Sequence, residues 1–319
     1  MSRYPHSKQW QDDRFQNPSH WPKRQGIRDV LRWQLGGRPP RDRQFVPPTV
    51  ENDGSLLRAN RKEVSVTWIG HATLLLQLDG LSILTDPMFA SRMFTIRRTA
   101  APGVSLSHLP PIDAVVVSHN HRDHLDEWSV RELGKDILFI VPLGLAGWFQ
   151  TRGFRRVIEL DWWHDHTLHA NGGAVRFTLV PAQHWSGRGI ADHNQSLWGG
   201  FVIESATARF YFSGDTGYPA AFAEIGKRFP DIHFALLPIG AYAPRWFMSP
   251  QHIDPAQAVL AFGELGAHKL VPMHWGTFQL SDEAMAEPPL LLQQAMGADS
   301  ARIIQLAIGE THWSTRSTE

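Results

Sequence analysis

The chain has 319 residues, 42% of them apolar, which is enough for a sizeable core and argues against global disorder. Basic and acidic residues number 31 each, so the zero formal charge gives no electrostatic footprint for nucleic acid. There is no cysteine, which excludes disulfides and thiolate metal sites and leaves nitrogen and oxygen as the only metal ligands.

Residues 1–60 carry many Pro, Arg, Asp and Gln and read as an extended arm with one short helix near DVLRWQL. The N-terminal stretch lacks the apolar core of a signal peptide, and no window approaches the roughly 18 apolar residues of a membrane span. The expected location is therefore the cytoplasm. Residues 61–319 read as one domain. VSVTWIG (64–70), ATLLLQL (72–78) and LSILTD (81–86) are expected strands, with Asp79-Gly80 as a turn. AVVVSH (114–119) is a buried strand, and LDEWSVRELG a helix closed by Gly134. ILFIVP is a strand and LAGWFQTRG a helix. VIEL, VRFTLVPAQH, LWGGFVIES and ARFYFSGDT follow as strands, then PAAFAEIGKRF as a helix and FALLPIG as a strand. IDPAQAVLAFGELG is a helix with Asp254 as its cap and Pro255 at its first position. KLVPMHW and IIQLAIGE are late strands, with a helix through PPLLLQQAMG between them. This alternation implies an α/β fold of two sheets covered by outer helices, a four-layer αββα sandwich.

The stretch SHNHRDHLD (118–126) concentrates His119, His121, Asp123 and His124 directly after an apolar run. His184, Asp215 and His274 each stand at the end of a later apolar run, where loops converge at one edge of such a sandwich. One histidine alone is more often a packed or surface residue. All seven together point to metal, and imidazole with carboxylate suits zinc. Two such ions bridged by one carboxylate can hold a hydroxide between them, because a metal lowers the pKa of water to about 7. No Gly-x-Ser-x-Gly elbow is present, and GDTG lacks the lysine and spacing of a phosphate loop. His71 in GHAT reads as support for a ligand or as a packed histidine.

SHNHRDHLD resembles the His-x-His-x-Asp-His signature of the metallo-β-lactamase-fold hydrolases, and GDTG, His184 and His274 resemble its later positions in order. WIGHAT, LTDP, VPLGL, QHW, EIGKRF, PIGAYAPRWFM, QHIDPAQAV and HWGTF extend the resemblance to the N-acylphosphatidylethanolamine-hydrolysing phospholipase D branch. The resemblance implies a metallo-β-lactamase-like sandwich over 61–319. It also implies two zinc ions, the first on His119, His121 and His184 and the second on Asp123, His124 and His274, with Asp215 and a hydroxide as bridges. Asp123, Asp215 and His252 become the candidate catalytic residues, and Gln251, His252 and Arg122 the candidate substrate contacts. His252 has a plainer alternative in holding the turn before a helix. Arg122 departs from the branch, where the mammalian enzyme has a tyrosine; it pairs with a lipid phosphate or points to solvent. Trp185, Trp246 and Phe247 line an acyl groove or belong to the core. Arg97 and Arg98 meet anionic headgroups or lie on a solvated loop.

The implied reaction is hydrolysis of N-acylphosphatidylethanolamine to N-acylethanolamine and phosphatidic acid. The nearest alternative keeps fold and metals but takes another small ester, lactone or phosphodiester. A di-iron oxidoreductase would carry His-x-Glu-x-Asp, whereas His121 stands at that position here. Expected partners are a phospholipid or other small-molecule substrate and no nucleic acid. Peripheral contact with the inner membrane face and a homodimer remain open.

Overall fold

Two β-sheets pack face to face in the computed structural model, which describes residues 3–18, 20–21, 26–40, 44–170, 173–189, 191–218 and 221–314. The first sheet contains β1 (Val64–Gly70), β2 (Thr73–Leu78), β3 (Leu81–Thr85), β4 (Ala114–Val116), β5 (Leu138–Pro142) and β6 (Val157–Leu160). The second contains β7 (Asp165–Ala170), β8 (Gly173–Val180), β9 (Gly200–Glu204), β10 (Arg209–Phe212), β11 (Phe234–Pro238) and β12 (Lys269–Met273). A last strand, β13 (Thr311–Ser314), returns to the first sheet, whose order is β6-β5-β4-β3-β2-β1-β13; the second runs β7 to β12 in sequence. In the first sheet β3, β4, β5 and β6 are mutually parallel, as are β10, β11 and β12 in the second. Parallel strands need crossover connections, and these carry the outer helices.

The alternation along β2 shows why the sheets stack. Leu74, Leu76 and Leu78 join the core shared with Phe177, Leu179 and Phe212 of the second sheet, while Leu75 belongs to a separate cluster on the opposite face. That outer cluster includes Val130 of α1 (Glu127–Leu133) and Phe149 of α2 (Ala146–Gln150). Beyond the second sheet lie α3 (Phe222–Arg228), α4 (Pro255–Leu265) and α5 (Glu287–Met296), contributing Phe222, Phe262 and Leu292 to the core. Each such fully buried large side chain contributes about 1.5–3 kcal/mol. The arrangement is the expected αββα sandwich.

Local signals behave as their chemistry requires. Asp79 and Gly80 take φ of 46° and 79°, the two positive values that a tight hairpin between β2 and β3 demands. Asp254 accepts from the Gln257 amide at the start of α4, and Gly266, at φ 62°, closes that helix.

Three expectations need correction. The strands stop earlier than their apolar runs, at Val116, Val180, Phe212 and Met273, so His119, His184, Asp215 and His274 stand on the loops that follow. The run IIQLAIGE is not a strand: it makes single bridges at Ile303 and Ile308. Its amides pair with both sheets in turn, Ile304 N to Leu270 O and Gly309 N to Trp68 O, so it crosses between them while Leu306 and Ile308 are buried. Finally, β7 (DHTLHA) is a strand that hydrophobic pattern does not reveal. It is a partly exposed edge strand, held by its ladder to β8 rather than by an apolar face.

The N-terminal residues pack on this body. Trp10–Gln11 and Arg14–Phe15 form a small hairpin that buries Phe15 in the core. The short helix foreseen near DVLRWQL spans Ile27–Leu35, and Thr49 bridges to Ile308. Positions 219 and 220 of the expected helix PAAFAEIGKRF lie outside the described residues; the helix itself is α3.

Candidate metal centre

The loops after β3, β4, β8, β10 and β12 meet at one edge of the sandwich. Two of them touch closely: Gly214 has φ 58°, and a Cβ on it would lie 2.4 Å from the Ser118 side chain. Only glycine lets the Asp215 loop approach the histidine loop this way.

Two clusters of ligand atoms result. In the first, His121 Nδ1 lies 2.8 Å from His119 Nε2 and 3.2 Å from His184 Nε2. In the second, Asp123 Oδ2 lies 3.6 Å from His124 Nε2 and 3.7 Å from His274 Nε2, and those two nitrogens are 3.2 Å apart. Asp215 reaches both: its Oδ2 is 3.1 Å from His124 Nε2 and 3.9 Å from His184 Nε2, and its Oδ1 is 3.1 Å from His274 Nε2. Zinc–nitrogen bonds of about 2.0–2.1 Å place tetrahedral ligand atoms about 3.3–3.4 Å from each other. The observed spacings cluster around that edge length, and the donor set is all imidazole and carboxylate. Residues of this kind fit a bound metal.

Hydrogen bonds fix which ring nitrogen faces inward. His184 Nδ1 donates to the Gln251 carbonyl at 3.0 Å, and His124 Nδ1 donates to Asp86 Oδ2 at 2.6 Å. Ser118 Oγ lies 2.9 Å from His119 Nδ1. Each leaves Nε2 free to ligate. Asp86 is itself held by the Ser118 amide at 2.7 Å. His71 Nε2 lies 3.1 Å from Asp123 Oδ2, and the His71 backbone is anchored through its amide to Thr277 Oγ1. The structure thus puts His71 against the carboxylate of Asp123, one of the candidate ligands.

Burial sets the electrostatics. It holds His119 and His184 well below the usual imidazole range and takes His121 down to about 3. Burial also lowers His274, but Asp215 and Asp123 outweigh it and push the ring up to about 9; Asp215, Asp123 and Asp86 likewise raise His124. Burial alone would raise Asp123 and Asp215, yet the imidazoles of His124 and His274 hold both carboxylates well below their ordinary range. The metal-free cluster therefore keeps protons on His124 and His274 at neutral pH, and an incoming cation must displace them. Since both folded-state pKa values are raised, that of His274 to about 9, proton competition weakens as pH rises, and metal affinity is expected to increase with pH above neutrality. Calorimetric titration of metal into the apo-protein, in buffers of different ionisation enthalpy, should show proton release at pH 7. Binding that neither releases protons nor varies with pH would contradict this picture.

All seven expected ligands come together here. His252 joins them, its ring buried and its Nδ1 3.8 Å from Asp215 Oδ2; burial lowers it to about 4, so it is neutral at pH 7. Gln251 is buried with its Oε1 unpaired among the described residues. Arg122 is exposed instead, its guanidinium over Phe94 at 5.0 Å and donating to the Arg188 carbonyl at 3.3 Å. Arg98 does not face solvent: it donates to the carbonyls of Ile69, Met88 and Ala100, and burial lowers it to about 10. Phe247 is a core residue stacked on Trp33 at 4.8 Å, whereas Trp185 lies edge-on to His121 at 4.1 Å and Trp246 is exposed.

Asp86 is the residue that sequence reasoning missed. Its only local signal is a lone aspartate after a strand, in LTDP. Asp86→Asn is expected to weaken metal binding by about 10–100-fold, because His124 loses the carboxylate that orients it. Chelator competition measures this; unchanged affinity would remove Asp86 from the site.

A beta-lactamase superfamily domain model matches residues 82–275. The chain is 36% identical over 308 residues to N-acyl-phosphatidylethanolamine-hydrolyzing phospholipase D 1 of Caenorhabditis elegans, covering 89% of this chain and 86% of that one. It is 33% identical over 220 residues to a metal-dependent hydrolase of Caldivirga maquilingensis, covering 66% and 82%. Among solved structures, the metallo hydrolase Igni18 of Ignicoccus hospitalis superposes with a TM-score of 0.60 at 23% identity, covering 80% and 99%. With this fold, this cluster and these relatives, the chain belongs to the beta-lactamase superfamily and is a metal-dependent hydrolase of it.

Proposed function

We propose that the protein is a binuclear zinc phosphodiesterase of the phospholipase D type, hydrolysing N-acylphosphatidylethanolamine to N-acylethanolamine and phosphatidic acid. The observation that carries this reading is Asp215, whose two oxygens face both ligand clusters at once. His119, His121 and His184 would hold one ion, and Asp123, His124 and His274 the other. The C. elegans relative, named for that reaction, supports the choice of substrate.

Bound zinc would supply positive charge for the phosphodiester oxygens and a water made acidic enough to attack at neutral pH. The chain's own residues do the rest. Asp215 and Asp123 present charge that is fixed before substrate arrives, so no reorganisation is needed at the moment of reaction. Neutral His252 stands beside Asp215 and is available to give or take a proton. Its carbonyl is gripped by Arg245 Nη1 at 2.8 Å, and its amide donates to Met248 O, so the backbone that carries the ring is held in place. The unpaired Gln251 Oε1 can accept a hydrogen bond from an acyl amide.

The test is turnover by metal-analysed protein of N-acylphosphatidylethanolamine against a panel of lactones and small esters. Phospholipid hydrolysis releasing N-acylethanolamine is the expected result. Lactone hydrolysis with no action on the lipid would overturn the substrate reading. His252→Ala should cut turnover by about 10²-fold, within the range for removing a proton-transfer group, while zinc content stays unchanged. Parallel loss of zinc would instead make His252 part of the metal shell.

A further inference from the structure

We propose that Trp185 is a positioning residue for the metal centre, its indole holding the aim of the His121 ring where a hydrogen-bond acceptor would ordinarily do so. The inference rests on the reading of His119, His121 and His184 as the ligands of one ion.

A ligating imidazole keeps its orientation through whatever holds its outer edge, normally an oxygen that accepts from the second ring nitrogen. Three of the candidate ligand histidines follow this pattern: His124 has Asp86, His184 the Gln251 carbonyl and His119 the Ser118 hydroxyl. The other two do not. His274 Nδ1 and His121 Nε2 are buried with no partner among the described residues. His274 is backed by the His71 ring, at a centroid distance of 4.0 Å. His121 turns Nδ1 rather than Nε2 toward its cluster, and the ring it meets is that of Trp185. The two centroids are 4.1 Å apart and the planes stand at 65°, a close form of the edge-to-face packing that aromatic quadrupoles favour.

The indole is itself held. It stacks on His193 at 5.7 Å, and the Gly187 backbone lies so near that a Cβ there would be 3.3 Å from Trp185 Cζ3. Hydrogen bonds close the loop around it, from the Asn194 amide to the Ser186 carbonyl at 2.8 Å and from Ser186 Oγ to the Ser196 carbonyl at 2.5 Å. The Gly187 amide donates to Asn120 Oδ1 at 2.6 Å, and Asn120 is the residue between His119 and His121. Indole and ligand are therefore fixed to one frame.

Electrostatics gives the contact its direction. A bound cation draws electron density out of the imidazole, and an aromatic face within about 6 Å attracts the positive charge that results. The contact is thus stronger with the ion bound than without it, which turns packing into metal affinity. An indole that served only as the wall of a substrate groove would act on KM and leave metal affinity alone.

The test is competition between full-length, zinc-loaded protein and a chromogenic chelator, which reads the two ions by their affinities. In Trp185→Ala the ion that His121→Ala removes should be held about tenfold more weakly, as for loss of a group that orients a ligand, while the other ion is unaffected. Trp185→Phe keeps an aromatic face and should restore most of that affinity; Trp185→Leu is apolar without one and should not. The visible spectrum of the cobalt(II)-loaded protein should change in the alanine and leucine variants, because the imidazole meets the ion at a different angle. Zinc affinity equal to the wild type's in Trp185→Ala would overturn the proposal, even alongside a raised KM, which would set the indole against substrate instead. Leucine as effective as phenylalanine would overturn it too, leaving packing without the aromatic contribution. Should alanine unfold the chain and cost both ions, the phenylalanine and leucine variants decide on the same terms. A wild type that binds no zinc at His119, His121 and His184 would sink the metal reading itself, an outcome distinct from a loaded wild type with unaffected variants.

Discussion

Replacing Asp215 by asparagine is expected to lower hydrolysis about a thousandfold or more, equivalent to at least about 4 kcal/mol of transition-state stabilisation. The substitution keeps the shape of the side chain and removes its charge. That charge faces His124 and His274 at 3.1 Å and His184 at 3.9 Å, so both ligand clusters lose the same anion. Several kcal/mol is the scale on which metals stabilise developing charge, and an amide between the clusters would weaken the hold of either cluster on a bound ion. The fold should survive, because the strands β10 and β11 that carry this loop are set by Phe210, Phe212, Phe234 and Leu236 in the core. Steady-state rates with far-UV circular dichroism on the same sample measure both halves. A rate near the wild type's would detach Asp215 from the chemistry.

His121→Ala should produce a comparable loss of activity by a different route. His121 Nδ1 stands between His119 Nε2 and His184 Nε2, and among the described residues only the shared Asp215 carboxylate, 3.9 Å from His184 Nε2, approaches that cluster besides these three imidazoles. Two imidazoles and a carboxylate shared with the other cluster grip an ion more weakly than the full set, so occupancy of this cluster should fall while the second keeps its metal. Elemental analysis should then show about one ion lost per chain, with hydrolysis reduced by about 10²–10⁴-fold, the loss expected when one of two cooperating ions is missing. Full metal content with native rates would refute the assignment.

Much of this site was legible from residues because metal ligation needs particular chemistry at particular strand ends. SHNHRDHLD is dense enough to be read alone, and His184, Asp215 and His274 follow apolar runs that had to be strands. What was not legible depends on residues distant in sequence. Asp86 looks ordinary in LTDP until the fold brings it against His124, 38 positions further on. The role of the Gln251 backbone is equally hidden, since a carbonyl that orients His184 leaves no mark on side-chain identity. So is Asn17, whose side chain donates to the His184 carbonyl at 2.8 Å from a segment read as an arm. In the fold, Asp79-Gly80 and the Asp254 cap were readable because turns and caps are local. IIQLAIGE was not, because an apolar run says that a segment is buried without saying between which layers.

The central claim is that two ions sit in these clusters with Asp215 between them. Anomalous diffraction at the zinc edge from crystals of zinc-loaded protein tests it most directly. Two peaks are predicted, one bonded to His119, His121 and His184 and the other to Asp123, His124 and His274, each with an Asp215 oxygen at about 2.0–2.2 Å. A single peak, or a pair elsewhere in the molecule, would contradict the account.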